Sequence, residues 1–168
     1  LELPAVQDYA FDVFTLEAWI KPAVNGQGIL IERQVETGKY NYQLSLTAAG
    51  LLQLTFHDQA GTAQTATSRP ESIIPMDGST WTHVAVSFGL QAAFTYQVRF
   101  TVNGEDATAA ASGSMPLLSS PGLFAAGPVY TRVGSATPGA GFSGAVYEVR
   151  FWHIPRSQSQ IANAYQQT

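Results

Sequence analysis

The stretch FTLEAWIKP, residues 14–22, alternates apolar and polar side chains with a period of two. One face of an extended chain would carry the apolar set Phe14, Leu16, Ala18 and Ile20. Alternation of this kind is typical of a strand that is buried on one side only. The segment therefore predicts a strand whose apolar face packs on a core.

The same period recurs along the chain. It is seen in YNYQLSL (40–46), LLQLTF (51–56), THVAVSF (82–88) and VRFTVNG (98–104). In the first of these, Tyr40, Tyr42, Leu44 and Leu46 alternate with Asn41, Gln43 and Ser45. Turn sequences separate the strands, namely NGQG (25–28), TAAG (47–50) and NG (103–104). Most of the chain is therefore predicted to form short strands.

The remaining segments indicate loops and one helix. TATSRPESIIPMDGS (65–79) and the connection over 113–141 are rich in loop-forming residues, and we expect no strand in them. Near the end, Ser157 and Gln160 fit a capping box at the start of a short helix. Many antiparallel strands with almost no helix predict an all-β fold: a two-sheet antiparallel β-sandwich of the jelly-roll type with a short C-terminal helix. We expect one domain over residues 1–168.

Composition excludes several functional classes. The chain of 168 residues is 45% hydrophobic, only 12% charged, and carries a formal net charge of −4. A nucleic-acid partner is not expected, because such proteins present a basic stripe. No cysteine is present, so thiolate zinc sites are excluded. No apolar run reaches the ~18 residues of a membrane span, and no membrane insertion is expected. Because the chain opens at LELP, which already resembles a strand, we expect it to be part of a larger protein.

Several blocks together resemble the laminin G-like domains of the concanavalin A-like lectin/glucanase superfamily. They are FTLEAWIKP (14–22), GILIERQ (28–34), YNYQLSL with GLLQLTF (40–56), STWTHVAVSF (79–88), VRFTVNGED (98–106) and FSGAVYEVRFWHIPRSQSQI (142–161). The resemblance implies two antiparallel sheets, one of them concave, in a multidomain protein that is secreted or at the cell surface. It implies recognition of a glycan or an extracellular protein. A hydrolase active site is the exception in this family.

The block GAVYEVRFW (144–152) admits two interpretations. Glu148, Arg150 and Trp152 alternate, so a regular strand would point all three to one face. The three side chains could line a sugar groove. Alternatively, Glu148 and Arg150 could form a hydrogen-bonded pair and, with the Trp152 ring, serve only to pack the fold. We favour the second interpretation, because a charged pair beside apolar residues is costly unless it is fully paired.

Catalysis is not expected from the acidic residues. Glu32, Gln34 and Glu36 alternate in a strand, and jelly-roll glycosidases place two carboxylates in this way. Retaining hydrolysis needs carboxyl groups about 5–5.5 Å apart. Four extended residues separate Cα atoms by roughly 13 Å, and Thr37 and Gly38 end the strand. We interpret this stretch as a solvated strand end and predict no enzyme activity.

Binding is the expected role. Tyrosine rings stack on the apolar faces of sugars, and amide side chains bond hydroxyls. Candidate ligand-binding residues near strand ends and loops are Tyr40, Asn41, Tyr42, His57, Asp58, Tyr130 and Arg132. The alternative for Tyr40 and Tyr42 is burial in the core. The connection over 113–141 is a second candidate surface.

Metal binding and purely structural roles stay open. A calcium site is possible, with Asp8, Asp12, Asp58, Glu105 and Asp106 as scattered candidate ligands. Tyr147 stands where the family often carries an Asp, which removes one carboxylate. His83 is expected to be a structural hydrogen-bonding residue. The alternative to a glycan-binding module is a structural or protein–protein interaction domain without a small ligand, and a glycoside hydrolase is the third hypothesis.

Overall fold

The computed structural model describes residues 1–3, 9–90, 96–109, 130–135 and 137–165. Within these ranges the strands are β1 (Glu2–Leu3), β2 (Phe14–Pro22), β3 (Gly28–Glu36), β4 (Lys39–Leu46), β5 (Leu52–His57), β6 (Ala63–Thr67), β7 (Thr82–Leu90), β8 (Tyr96–Val102), β9 (Glu105–Asp106), β10 (Tyr130–Val133) and β11 (Gly144–Trp152), and the helix is α1 (Gln158–Tyr165). In the described part of the chain, no helix has the length and apolar character that crossing a membrane requires.

The strands form two antiparallel sheets. The six-stranded sheet has the order β1-β10-β3-β4-β5-β6, and the five-stranded sheet has the order β11-β2-β7-β8-β9. This arrangement confirms the predicted all-β sandwich with a short C-terminal helix. The predicted turns at 47–50 and 103–104 also form, and they join β4 to β5 and β8 to β9.

The core lies between the two sheets. The apolar set of β2 that the alternation predicted is fully buried. Phe56 of β5 meets Phe88 of β7 edge to face, with ring centroids 5.1 Å apart. Phe14 of β2 lies 5.3 Å from Tyr42 of β4. These rings come from opposite sheets, so aromatic contacts hold the two layers together.

Two strands lie where the sequence predicted loops. β6 (Ala63–Thr67) enters the predicted loop 65–79, and β10 (Tyr130–Val133) lies within the connection 113–141. The loop predictions were wrong at these positions. β6 has weak alternation, since only Ala66 is buried in it, and its pairing with β5 makes it a strand. β10 is short and is held between β1 and β3. Hydrogen bonds to neighbouring strands therefore decide both cases.

Irregular pairing changes the face of two predicted side chains. Tyr42 pairs with Arg33 and Tyr40 pairs with Gln34, so Asn41 is an extra residue in β4. Of the two alternatives for Tyr40, burial in the core beside Tyr42 was therefore wrong. In β11 the register shifts between Tyr147 and Arg150, and Glu148 has a positive φ of 49°. The unbroken alternation predicted for Glu148, Arg150 and Trp152 was also wrong.

The C-terminal segment packs over the outer face of the five-stranded sheet. Ser157 and Gln160 form the predicted capping box. The Ser157 backbone N–H donates to Gln160 Oε1 at 2.8 Å, and the Gln160 N–H donates to Ser157 Oγ at 3.2 Å. Tyr165 at the end of α1 lies 5.3 Å from the Trp19 ring of β2. The helix therefore covers part of the sheet face that is opposite the core.

Candidate functional site

The outer face of the six-stranded sheet carries a row of aromatic and amide side chains. Tyr130 of β10 lies opposite Gln34 of β3, and Gln34 lies opposite Tyr40 of β4. The Tyr40 ring is 5.9 Å from the His57 ring of β5. All four residues are partly exposed. They define the aromatic row, which crosses four neighbouring strands and spans about 14 Å at the usual strand spacing.

A second, polar row lies beside the aromatic row on the same face. Cross-strand pairing aligns Arg132, Glu32, Gln43, Thr55 and Thr65. The Arg132 guanidinium lies 4.2 Å from the centre of the Tyr130 ring and donates to Glu2 Oε2 at 2.8 Å. Arg132 Nη1 is buried and has no hydrogen-bond partner within the described part of the chain. The two rows together place stacking rings next to hydrogen-bonding groups.

His57 has a defined orientation in this site. Its Nδ1 accepts a hydrogen bond from the Tyr40 backbone N–H at 3.1 Å. Partial burial lowers the pKa of the His57 imidazole below its usual value. The ring is therefore neutral at pH 7, and with Nδ1 as acceptor the proton resides on Nε2. Nε2 is then the atom that can donate to a ligand.

Four of the seven ligand-binding residues predicted from the sequence lie together in the structure. Tyr40, His57, Tyr130 and Arg132 lie on the outer face of the six-stranded sheet. Gln34 completes the aromatic row and was missed as a ligand-binding candidate, because only the irregular pairing of β4 places it beside Tyr40. No local signal in the sequence marks that pairing.

The side chains of the other three candidates stabilise the fold. Asn41 is fully buried, and its side-chain amide bonds both the N–H and the C=O of Phe11. Tyr42 is also fully buried, and burial raises the pKa of its hydroxyl. Asp58 accepts hydrogen bonds from the backbone of Ala60 and Thr62, which fixes the turn after β5. None of these side chains faces the surface that carries the aromatic row.

The carboxylates considered for catalysis differ in environment. Glu32 is buried and accepts a hydrogen bond from Gln43 Nε2 at 3.1 Å. Glu36 is exposed and pairs with Lys39 at 2.8 Å. The interpretation as a solvated strand end holds for Glu36 and was wrong for Glu32, which is buried.

The calcium candidates do not converge among the described residues. In that part of the chain, no group of three His, Asp or Glu side chains lies close enough to hold a metal ion. Asp8 and most of the connection over 113–141 lie outside the described residues.

His83 is buried on the outer face of the five-stranded sheet. Its Nε2 lies 3.6 Å from Oε2 of Glu17, which is fully buried at the middle of β2. Burial alone would raise the pKa of Glu17, but His83 and Arg156 outweigh burial and lower it. Glu17 and His83 lie beneath the C-terminal segment, which carries Arg156. The hydrogen-bonding role expected of His83 stays a prediction, because its Nδ1 has no hydrogen-bond partner among the described residues.

The ion pair of β11 is partly buried. Arg150 Nη2 donates to Glu148 Oε2 at 2.7 Å, which confirms the predicted pairing. Near it, an exposed aromatic pair was missed by sequence analysis. Tyr147 is 62% exposed and Trp81 is 41% exposed, and their rings lie 6.5 Å apart. Alternation alone gave no signal for exposure, since both residues lie in strand-like sequence.

The fold defines a class of protein: a jelly-roll β-sandwich built from two antiparallel sheets. The chain belongs to the laminin G family described as the concanavalin A-like lectin/glucanases superfamily, whose family profile matches residues 1–162. No curated protein matches the sequence.

Three solved structures illustrate the shared fold. A pentraxin of Limulus polyphemus is 14% identical with a TM-score of 0.59, and the match covers 98% of this chain and 80% of that chain. Domain 4 of the extracellular arabinanase AbnA of Geobacillus stearothermophilus, in complex with arabinotriose, is 19% identical with a TM-score of 0.59, covering 98% and 71%. The sialidase module CBM40 of Ruminococcus gnavus, bound to α2,3-sialyllactose, is 16% identical with a TM-score of 0.61, covering 95% and 85%. At these identities the likeness establishes the fold.

Proposed function

We propose that this domain is a non-catalytic module that binds a glycan or a related extracellular polymer through the aromatic row. The observation that carries the proposal is the alignment of Tyr130, Gln34, Tyr40 and His57 across four strands on a partly exposed sheet face. Rings of this kind stack on sugar faces, and the amide and imidazole groups bond hydroxyls. Such a module would function outside the cell or at its surface, as part of a multidomain protein.

The absence of catalysis is part of the same proposal. Glu32 and Glu36 lie four residues apart on β3, which separates their Cα atoms by roughly 13 Å in an extended strand. Glu36 is already paired with Lys39 at the strand end. A retaining mechanism needs two carboxyl groups about 5–5.5 Å apart across the scissile bond. Alanine variants of both residues should therefore still bind the glycan. Neither these variants nor the wild-type domain should hydrolyse it.

The proposal is tested with neutral oligosaccharides. Arabinotriose and lactose are suitable first probes, because proteins of this fold are known in complex with arabinotriose and with sialyllactose. An array of neutral oligosaccharides then extends the search, and titration calorimetry measures the affinity for the best ligand. The Tyr40→Ala variant should weaken binding by about tenfold, because it removes one stacking ring.

Tyr147→Ala is the matched control, since it removes an exposed tyrosine from the other sheet. It should bind with unchanged affinity. A folded wild-type domain that binds no oligosaccharide on the array would contradict the proposal. Loss of binding in Tyr147→Ala with retention in Tyr40→Ala would show that the site is elsewhere.

A second candidate function is docking to a protein. It is favoured by the exposed pair Trp81 and Tyr147. The Lys21 ammonium group lies 5.3 Å from the centre of the Trp81 ring. Exposed aromatic residues are enriched where proteins meet. The double variant Trp81→Ser and Tyr147→Ser should abolish such an interaction and leave glycan binding intact.

A further inference from the structure

A groove lies on the outer face of the five-stranded sheet, beside the C-terminal helix. It consists of two adjoining cavities of about 340 Å³ and about 200 Å³. Gln97 and Arg99 of β8 line both cavities. We call this surface the arginine groove and define it by Arg69, Gln97, Arg99, Thr101, Asp106 and Gln158. Because Val98 and Phe100 point into the core, the alternating residues of β8 face the groove.

The groove concentrates positive charge on an acidic protein. The chain has 8 Lys and Arg residues against 12 Asp and Glu residues. Arg69 and Arg99 line the larger cavity, and Arg99 and Arg156 line the smaller one. Asp106 is the one acidic residue among the described residues that line the two cavities. A site with this imbalance favours an anionic ligand.

Two of the three guanidinium groups, those of Arg69 and Arg99, have N–H donors available for a ligand. Arg156 is already paired with Glu17. Among the described residues, no salt bridge includes Arg69 or Arg99. Arg99 Nε donates a long hydrogen bond to Gln97 Oε1 at 3.3 Å, and Arg69 Nε is buried with no hydrogen-bond partner in the part of the chain that the structure describes. A buried donor in this state costs free energy until a partner satisfies it.

Asp106 does not satisfy these arginines at close range. Burial alone would raise the pKa of Asp106, but hydrogen bonds from Thr108 and the charges of Arg69 and Arg99 outweigh burial and lower it. The carboxylate accepts the Thr108 backbone N–H at 2.9 Å, so one of its oxygens is engaged locally. Asp106 therefore stays ionised, and it forms no salt bridge with either arginine.

We propose that the arginine groove binds an acidic sugar, whose carboxylate or sulfate group lies against Arg69 and Arg99. The planar guanidinium group presents paired N–H donors that match these oxyanions. The neighbouring groups Gln97, Thr101 and Gln158 supply amides and a hydroxyl that can bond the sugar hydroxyls. The groove lies on the opposite side of the sandwich from the aromatic row, so either site can fail while the other stands.

The test compares charged and neutral sugars of similar size. Calorimetry or NMR titration at low salt would use oligogalacturonides as the carboxylate probe, a heparin-derived hexasaccharide as the sulfate probe and galacto-oligosaccharides as the neutral probe. We expect binding of at least one acidic probe, weakened by salt, and no groove binding of the neutral one. Chemical-shift changes should fall on β8 and the start of α1.

Variants of Arg99 test the location. Arg99 is exposed, so Arg99→Gln should fold normally, as thermal unfolding would verify. It should weaken acidic-sugar binding by at least about tenfold, because a charge-assisted hydrogen bond is lost. Arg99→Lys should bind with intermediate affinity, since it keeps the charge and loses the planar fork. Arg150→Gln removes the same charge from β11, outside the groove, and should bind like wild type.

Three results would overturn the proposal. One is a folded wild-type domain that binds neither acidic probe. Another is an equal loss of affinity in Arg150→Gln and Arg99→Gln, which would mean unspecific charge attraction. The third is binding of a poly-glutamate peptide as strong as that of the best acidic sugar, which would make the occupant an acidic peptide.

Discussion

Arg156, which follows the last strand, forms an ion pair with Glu17, which is fully buried at the middle of β2. The Arg156 guanidinium also lies 4.4 Å from the centre of the Trp152 ring, and its backbone N–H donates to Thr15 Oγ1 at 2.8 Å. Nη2 donates to the Gln160 carbonyl at 2.7 Å. One arginine therefore joins the C-terminal segment to the sheet that it covers.

Removal of this arginine should destabilise the domain strongly. Arg156→Gln leaves the Glu17 carboxylate buried without its main partner, and an uncompensated buried charge costs about 3–5 kcal/mol. Urea unfolding at pH 7 would measure the loss. Arg150→Gln is the matched control, because the Arg150–Glu148 pair is partly exposed and its loss should cost less than about 1 kcal/mol. Equal effects of the two variants would contradict the structural role assigned to Glu17.

Glu17 should also make stability depend on pH. Its folded-state pKa is held below the usual glutamate value of 4.5, so the unfolded chain takes up a proton at higher pH than the folded chain. The stabilisation is therefore complete above pH 4.5 and is lost as the pH falls through the folded pKa. Glu17→Gln should show a shallower fall in the free energy of unfolding between about pH 5 and pH 3. Parallel pH profiles for wild type and variant would argue against this origin.

Asn41 should be essential for holding the segment before β2 against the six-stranded sheet. Its side chain bonds the Phe11 N–H at 3.0 Å and the Phe11 C=O at 2.9 Å, as a neighbouring strand would. Asn41→Ala leaves both backbone groups buried without these partners, at an expected cost of about 2–4 kcal/mol. Ser45→Ala on the same strand is the control, because Ser45 makes one weak hydrogen bond of 3.4 Å. Chemical denaturation of both variants provides the comparison.

Gly89 should tolerate no side chain, because Pro155 lies directly over it. A Cβ atom at Gly89 would overlap the Pro155 ring, so Gly89→Ala must displace the C-terminal segment. We expect a loss of about 1–3 kcal/mol and faster hydrogen exchange in α1. Gly141→Ala is the control, since the nearest atom to its added Cβ would be 3.8 Å away. Protection of α1 that is unchanged in Gly89→Ala would contradict this packing.

The candidate site shows how far sequence reasoning reached. Tyrosine and histidine near strand ends indicated binding, and Tyr40, His57 and Tyr130 do lie on one outer face. Gln34 could not be found in this way, because its neighbour Tyr40 is brought to that face by an extra residue in β4. A shift of one residue in register reverses the face of every side chain beyond it. No pattern within a single strand records that shift.

The sequence by itself determined the sandwich. Alternation in β2, β4, β5, β7 and β8 decides which side chains are buried, and burial of apolar surface drives two such sheets together. The tertiary structure alone decided which side chains lie together in the aromatic row and in the arginine groove, the short strands β6 and β10, and the burial of Glu17. The physical reason is that a hydrophobic pattern is local, whereas cross-strand register and the position of the C-terminal segment depend on partners distant in the chain.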